Sequence, residues 1–187
     1  MISSGKLGLR FGQIEVPGFP MEGLSIEFST IFKGRAFNDV NGAEDMDHTR
    51  SGSDILVRID PGEEIHTALQ QLADDLGFDA AAITSGIGRT RNNQYGYMNE
   101  EGVYKKRLLA SPSELVSLSG NIARTESGES FTHIHCCWSD DDNHVHAGHM
   151  FQSTVHVVAE IHIRVMEHAS MMRCPLDGLE LLGLEFD

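Results

Sequence analysis

Histidines and cysteines concentrate in one short part of the chain, residues 131–150, with the sequence FTHIHCCWSDDDNHVHAGHM. This segment holds five of the chain's ten histidines and two of its three cysteines. Imidazole and thiolate groups bind Zn²⁺ and other transition metals, so the composition raises the hypothesis of a metal site. The competing interpretation is a solvated hairpin whose histidines only titrate near neutral pH.

The first part of this segment, 131–138, alternates in polarity with the two-residue period of a β-strand. Alternation places His133, His135 and Cys137 on one face. Trp138 lies on the other face, together with apolar neighbours that indicate core. Two histidines at positions i and i+2 lie roughly 6–7 Å apart at Cα and can both reach one cation. A third ligand from a neighbouring strand would complete an open, catalytic type of site.

The third ligand has three candidates, His144, His146 and His149. If 145–150 pairs back as a hairpin strand, His149 lies on the opposite face from the other two. Gly148 permits a bulge or a close backbone approach, either of which could aim His149 towards the first two histidines. Spacing alone leaves the choice open.

One amphipathic helix is predicted ahead of these strands, over Glu63–Leu76. Asp60–Gly62 ends a short β-branched strand at Ile55–Ile59, and apolar residues then recur at helical spacing. The two glutamates at its start favour the N-terminal helix dipole, and Gly77 is suited to cap its C-terminus.

After this helix the chain consists almost entirely of strand patterns separated by turn residues. In the predicted strand Ser153–Glu167 the odd-numbered residues from Val155 to Val165, Val157 among them, are apolar and predicted to face the core. One main helix packed on a largely antiparallel sheet is an α+β fold, which we predict for residues 54–187. Residues 1–53 are predicted to be an N-terminal extension or linker with one strand-like stretch, Leu24–Phe32.

Charge and composition restrict the function classes. The 187 residues include 14 basic and 28 acidic side chains, a net charge of −14. Nucleic-acid binding draws much of its affinity from lysine and arginine, and the best basic run is only Lys105–Arg107. No apolar run is long enough to span a membrane and no signal peptide is evident, so we predict a cytoplasmic protein without a membrane partner.

Five motifs occur in an order that closely resembles the PPC (plant and prokaryote conserved) domain. They are DPGE at 60–63, SGIG at 85–88, ELVSLSG at 114–120, HIH at 133–135 and GH at 148–149. The resemblance covers roughly Asp54 to Glu167. It implies a compact α+β domain that assembles as a homotrimer, with strands contributing to the subunit interfaces.

Prokaryotic members of this family are commonly labelled DNA-binding, which follows their plant relatives, whose AT-hooks contact DNA. In this chain Lys33, Gly34 and Arg35 are followed by Ala36, without the proline and flanking basic residues of an AT-hook. A DNA-binding or regulatory role is therefore kept as the alternative.

The H-x-H…G-H arrangement is also similar to the zinc site of acetolactate decarboxylases. This similarity implies three ligands to Zn²⁺ or another transition metal: His133, His135 and His149. Those enzymes use a glutamate and an arginine near the metal, for which Glu114 is the candidate general acid/base and Arg89 or Arg124 the candidate arginine.

The sequence thus predicts a homotrimeric protein with a His₃ metal site and a small-molecule ligand. A bound metal would act as a Lewis acid, for example on a small keto or hydroxy compound. If Cys137 supplied a fourth ligand, the closed tetrahedral shell would be structural and would favour a binding module over an enzyme.

Overall fold

The computed structural model describes residues 46–176 and 179–186, all within one unit, Ala43–Asp187. The predicted strand Leu24–Phe32 lies outside the described residues. In chain order the elements are β1 (Asp47–Ser51), β2 (Asp54–Ile59), α1 (Ile65–Leu76), β3 (Ala81–Met98), β4 (Tyr104–Leu109), β5 (Ser113–Thr125), β6 (Ser130–Ser139), β7 (Val145–Val165), β8 (Ala169–Leu176) and β9 (Leu179–Phe186).

The helix begins and ends where the sequence supplies caps. Glu64 has extended backbone, and its carboxylate accepts a hydrogen bond from the Thr67 N–H at 2.9 Å. Gly77 ends α1 in the left-handed conformation, φ 68°, and its N–H donates to the Ala73 carbonyl at 3.0 Å. The buried stripe consists of Ile65, Ala68, Leu69, Leu72 and Ala73. The predicted helix is confirmed, and no helix among the described residues is long and apolar enough to cross a membrane.

The strands form one sheet in the order β1-β2-β7-β3-β5-β8-β9, with β4 beside β3 and β6 beside both β5 and β7. Among the described strands every pairing is antiparallel except the short contact of β5 with β8. The predicted α+β class, a largely antiparallel sheet with one helix packed on it, is therefore confirmed. Because β6 joins β5 to β7, the strands β3, β5, β6 and β7 form a closed circuit of hydrogen-bonded neighbours.

Strand β1 was not expected, because its residues, DHTRS, lack apolar alternation and fall in the predicted linker. It pairs with β2 from Asp47 opposite Arg58 to Ser51 opposite Asp54. A two-residue hairpin turn joins the strands, with Gly52 at φ 61°. Backbone hydrogen bonds rather than side-chain burial hold this exposed strand.

The predicted core face of β7 has one exception, Val157, which is 52 % exposed. The consecutive β3 residues Arg89 and Thr90 pair with Val158 and Val155 of β7. His156 and Val157 are therefore left without partners on β3 and form a bulge. Next to this bulge, Val155 also hydrogen-bonds to the loop before the helix, where its N–H donates to the Glu63 carbonyl at 2.9 Å.

Near its start, β7 runs unusually close to β3. Gly148 has φ 155°, and a Cβ at this position would lie 2.5 Å from the carbonyl oxygen of Gly96. Glycine therefore permits the close backbone approach that its position next to His149 suggested.

We predict that Gly148→Ala lowers the free energy of unfolding by roughly 3 kcal/mol, because the methyl group meets the Gly96 carbonyl and the backbone angle disfavours a side chain. Urea unfolding measures the change. Gly102→Ala is the matched control, since Gly102 also has positive φ, 74°, but open space around its Cβ position. Equal unfolding midpoints for the two variants would contradict the role of the close approach.

Candidate metal centre

Strands β6 and β7 bring three histidines together. His133 and His135 lie on the face of β6 that points away from the core, and His149 of β7 lies directly opposite His135. One ring nitrogen from each residue lies within 4.8 Å of the other two. Nitrogen ligands of one zinc ion are about 3–4 Å apart, so small side-chain rotations would bring all three onto a cation.

The three rings form a nearly equilateral cluster. Ring centroids are separated by 5.0 Å for His133 and His149, 5.2 Å for His133 and His135, and 5.3 Å for His135 and His149. His135 is exposed and the other two are half-buried. The cluster is therefore closed on the strand side and accessible from solvent at His135.

Burial keeps two of these imidazoles neutral. It lowers the pKa of His149 to about 4, with the neighbouring His133 and His135 acting in the same direction. Burial also lowers the pKa of His133, followed by the charges of Arg173 and His135. Metal binding requires unprotonated imidazole, so the environment prepares both rings as ligands near neutral pH.

One atom of the cluster has an unmet hydrogen-bonding requirement. Within the described part of the chain, His149 Nδ1 is buried without a hydrogen-bond partner. Such atoms are rare in native proteins. A ring nitrogen of this kind beside two further imidazoles is a donor set that fits a transition-metal ion.

An arginine that no sequence motif indicates lies beside the cluster. Arg173 of β8 is only 3 % exposed, donates a hydrogen bond to Asn121 Oδ1 and places its guanidinium carbon 5.1 Å from the ring centroid of Phe131. Asn121 is the cross-strand partner of His133. The arginine is distant in sequence from the histidines, and the β5–β8 contact brings it there.

Aromatic residues and a lysine line the other side of the cluster. The rings of Tyr104 and Phe151 lie 5.1 Å and 4.6 Å from that of His149. Lys106 Nζ lies 4.1 Å from the centroid of the Phe151 ring. Lys106 belongs to the basic run Lys105–Arg107.

Glu114 lies elsewhere within the chain. Its carboxylate pairs with Arg89 at 2.6 Å, and it stands opposite Ser139 of β6. Ser139 is four residues beyond His135, which is about 13 Å along a strand. The structure does not bring Glu114 or Arg89 to the histidines within one chain.

Arg124, the second candidate arginine, binds residues at the C-terminal end of α1 and not the histidines. It donates to Asp79 Oδ1 at 2.8 Å and to the Phe78 carbonyl at 3.1 Å, and it pairs with Asp74. These contacts hold the C-terminal end of α1 against β5, on the helix side of the sheet.

The remaining candidate ligands are also separate. Cys137 lies opposite Ala147, and its sulfur does not join the group of mutually close ligand atoms found among the described residues. His146 hydrogen-bonds to Asp140 at 2.9 Å and to the Tyr95 hydroxyl at 2.9 Å. Of the three candidates for a third ligand, the fold therefore brings His149 to the cluster.

The sequence matches the profile of the Plants and Prokaryotes Conserved (PCC) domain over residues 46–167. The chain belongs to the PCC domain family. This finding confirms the resemblance to the PPC domain, and the match begins with β1, before the predicted start at residue 54. A search of curated proteins found no match to the chain.

Solved structures support the same fold for this PCC domain. A plant- and prokaryote-conserved protein from Pyrococcus horikoshii is 29% identical, with a TM-score of 0.64 over 76% of this chain and 96% of that one. A metal-containing protein from Archaeoglobus fulgidus is 28% identical, with a TM-score of 0.61 over 71% and 92%. A candidate DNA-binding protein from Bacteroides thetaiotaomicron, 21% identical with a TM-score of 0.67 over 75% and 97%, shows likeness of fold alone.

We predict that acid destabilises the metal-free PCC domain. His149 has an ordinary pKa of 6.5 and a pKa of about 4 in the fold, so between these values the unfolded chain binds more protons. The free energy of unfolding should be highest above about pH 7 and fall as the pH drops through 6.5 towards 4.

Urea unfolding of EDTA-treated protein at about pH 7.5, 6 and 5 measures this dependence. His149→Gln should flatten it, whereas His168→Gln, in the exposed turn before β8, should not. A His149→Gln variant as pH-sensitive as the wild type would contradict the assignment.

Proposed function

We propose that this PCC domain binds one transition-metal ion through His133, His135 and His149, and presents it to a small oxygen-containing ligand. The observation that carries the proposal is the convergence of three imidazole nitrogens within 4.8 Å on a face open to solvent. Three protein ligands leave a coordination position for water or substrate, which distinguishes catalytic from structural zinc sites.

Zinc is the first candidate for the metal. The donor set consists of imidazoles only, which suits zinc and several other first-row metals. The similarity of the H-x-H…G-H arrangement to the acetolactate decarboxylase zinc site supports the same choice. The relative from Archaeoglobus fulgidus is a metal-containing protein, which supports a metal in this fold.

A bound metal would supply Lewis acidity towards a carbonyl or hydroxyl oxygen. The chain's own residues would prepare the site for it. Burial holds His133 and His149 in the unprotonated form that ligation needs, and the Tyr104 ring covers one side of His149. Within one chain Glu114 is too distant for direct proton transfer at the triad, so its proposed acid–base role requires a second subunit.

A homotrimer is the second part of the proposal. Four aliphatic side chains on the adjacent strands β2, β7, β3 and β5 are 52–55 % exposed: Leu56, Val157, Ile87 and Val116. They lie on the sheet face that points away from the core, and clustered apolar exposure of this kind is typical of an interaction surface. The number of three subunits rests on the family resemblance.

DNA binding is the alternative function, and the charge distribution opposes it. The net charge is −14, and Lys106 of the principal basic run lies over Phe151 beside the histidines. The proposed cytoplasmic location rests on the sequence alone.

We expect elemental analysis of tag-free protein to find about one transition metal per chain, since one His₃ set is available. His133→Ala/His135→Ala should lose this metal. His168→Ala, which removes an exposed histidine far along the sequence, is the control and should retain it. Equal metal in all three proteins, or none after incubation with zinc, would contradict the metal centre.

We expect the double variant Leu56→Asp/Val157→Asp to dissociate the trimer, because each subunit would bury two unpaired carboxylates in the interface. Analytical ultracentrifugation measures the mass. Leu108→Asp, which adds a charge at a comparably exposed leucine on β4, should leave the trimer intact. A wild-type chain that sediments as a monomer would refute the trimer without affecting the metal-content result.

A further inference from the structure

Two cation–aromatic pairs flank the three histidines. On the β6 side, the Arg173 guanidinium lies over Phe131, which precedes His133 by two residues and shares its strand face. On the β7 side, Lys106 lies over Phe151, which follows His149 by two residues on the same face. The two pairs come from β8 and β4, strands on different sides of the cluster.

These cations are unusual in their surroundings. The chain has twice as many acidic as basic residues, yet among the described residues the charges that act on His133 and His149 are those of Arg173, Lys106 and other histidines. Both cations oppose protonation of the ligands, and they would also oppose binding of a metal cation. Placing the exposed Lys106 ammonium beside a cation site is unfavourable unless an anion joins the assembly.

The aromatic rings indicate what kind of anion would fit. Phe151 and Tyr104 pack edge to face at 5.1 Å and form an apolar wall against His149. An inorganic oxyanion has no apolar surface to place there. An organic ligand with a short carbon skeleton could contact the wall while an oxygen atom reaches the metal position.

We propose that the centre binds a small organic carboxylate, whose carboxylate group pairs with Lys106 while a second oxygen occupies the open coordination position. This inference rests on the proposed metal centre and names the ligand class for it. Lys106 is exposed and flexible enough to meet a ligand directly. Arg173 is buried against Asn121 and acts as a positioning residue that maintains positive potential beside His133.

Pyruvate, a 2-keto carboxylate, and pyruvamide, its uncharged amide, are matched probes. Isothermal titration calorimetry on zinc-loaded wild-type protein should show tighter binding of pyruvate. In Lys106→Gln we expect pyruvate affinity to fall by about tenfold, the effect of losing one charge-assisted hydrogen bond, with pyruvamide affinity unchanged.

Lys105→Gln is the control, because it removes the same charge from the opposite face of β4. We expect it to change pyruvate affinity by less than about twofold, the effect of a distant exposed charge. Equal losses in the two lysine variants, tighter binding of pyruvamide than pyruvate, or tighter binding of inorganic phosphate than pyruvate would each overturn the inference.

Arg173 is tested by the ratio of pyruvate to pyruvamide affinity, which a general structural defect would not selectively change. Arg173→Met should lower this ratio and Arg173→Lys should largely restore it. An unchanged ratio in Arg173→Met would remove Arg173 from the assignment.

Zinc content is measured before any titration. Failure to take up zinc contradicts the metal centre alone. The comparison of Lys106→Gln with Lys105→Gln then proceeds on metal-free protein, where a selective loss of pyruvate binding still supports the carboxylate assignment and its absence overturns it.

Discussion

The candidate site depends on a change of partner by β7 at His149. This residue pairs with His135 of β6 on one side and with Gly96 of β3 on the other. Residues before it belong to the hairpin with β6, and residues after it extend along β3. Such sharing requires three backbones to lie close together, which Gly148 allows because it has no side chain to meet the Gly96 carbonyl.

The helix contacts the strand segments that carry these histidines from the core side of the sheet. His66 of α1 hydrogen-bonds through Nδ1 to Thr132 Oγ1 at 2.7 Å, and through Nε2 to the Met150 carbonyl at 3.2 Å. These contacts tie α1 to the strand segments on which His133 and His149 lie. Burial lowers the pKa of His66, so its neutral form maintains this link around neutral pH. The two strands are thereby fixed relative to each other.

The cations beside the candidate centre lie over aromatic rings, Lys106 over Phe151 and Arg173 over Phe131. Elsewhere among the described residues, arginines pair with carboxylates, as with Arg89 and Glu114 or Arg50 and Glu167. The Lys106 side chain is exposed, so its ammonium can meet a ligand while it lies over the Phe151 ring.

Local patterns in the sequence determined the parts of the fold that arise from periodicity and capping. The helix, the major strands and the outward face of His133 and His135 follow from spacing of 3.6 or two residues, because burial acts on every turn or alternate residue. Strand β1 and the bulge at Val157 did not follow, since a polar hairpin and an irregular ladder leave no periodic signal.

The convergence on the third histidine was decided by tertiary structure. His144, His146 and His149 are equivalent by residue type, and strand register selects among them by setting His149 opposite His135. Arg173 reaches the site through a parallel contact between β5 and β8, across a sequence separation that local patterns cannot specify. The sequence by itself determined that imidazole ligands are present, and long-range strand pairing determined which of them come together.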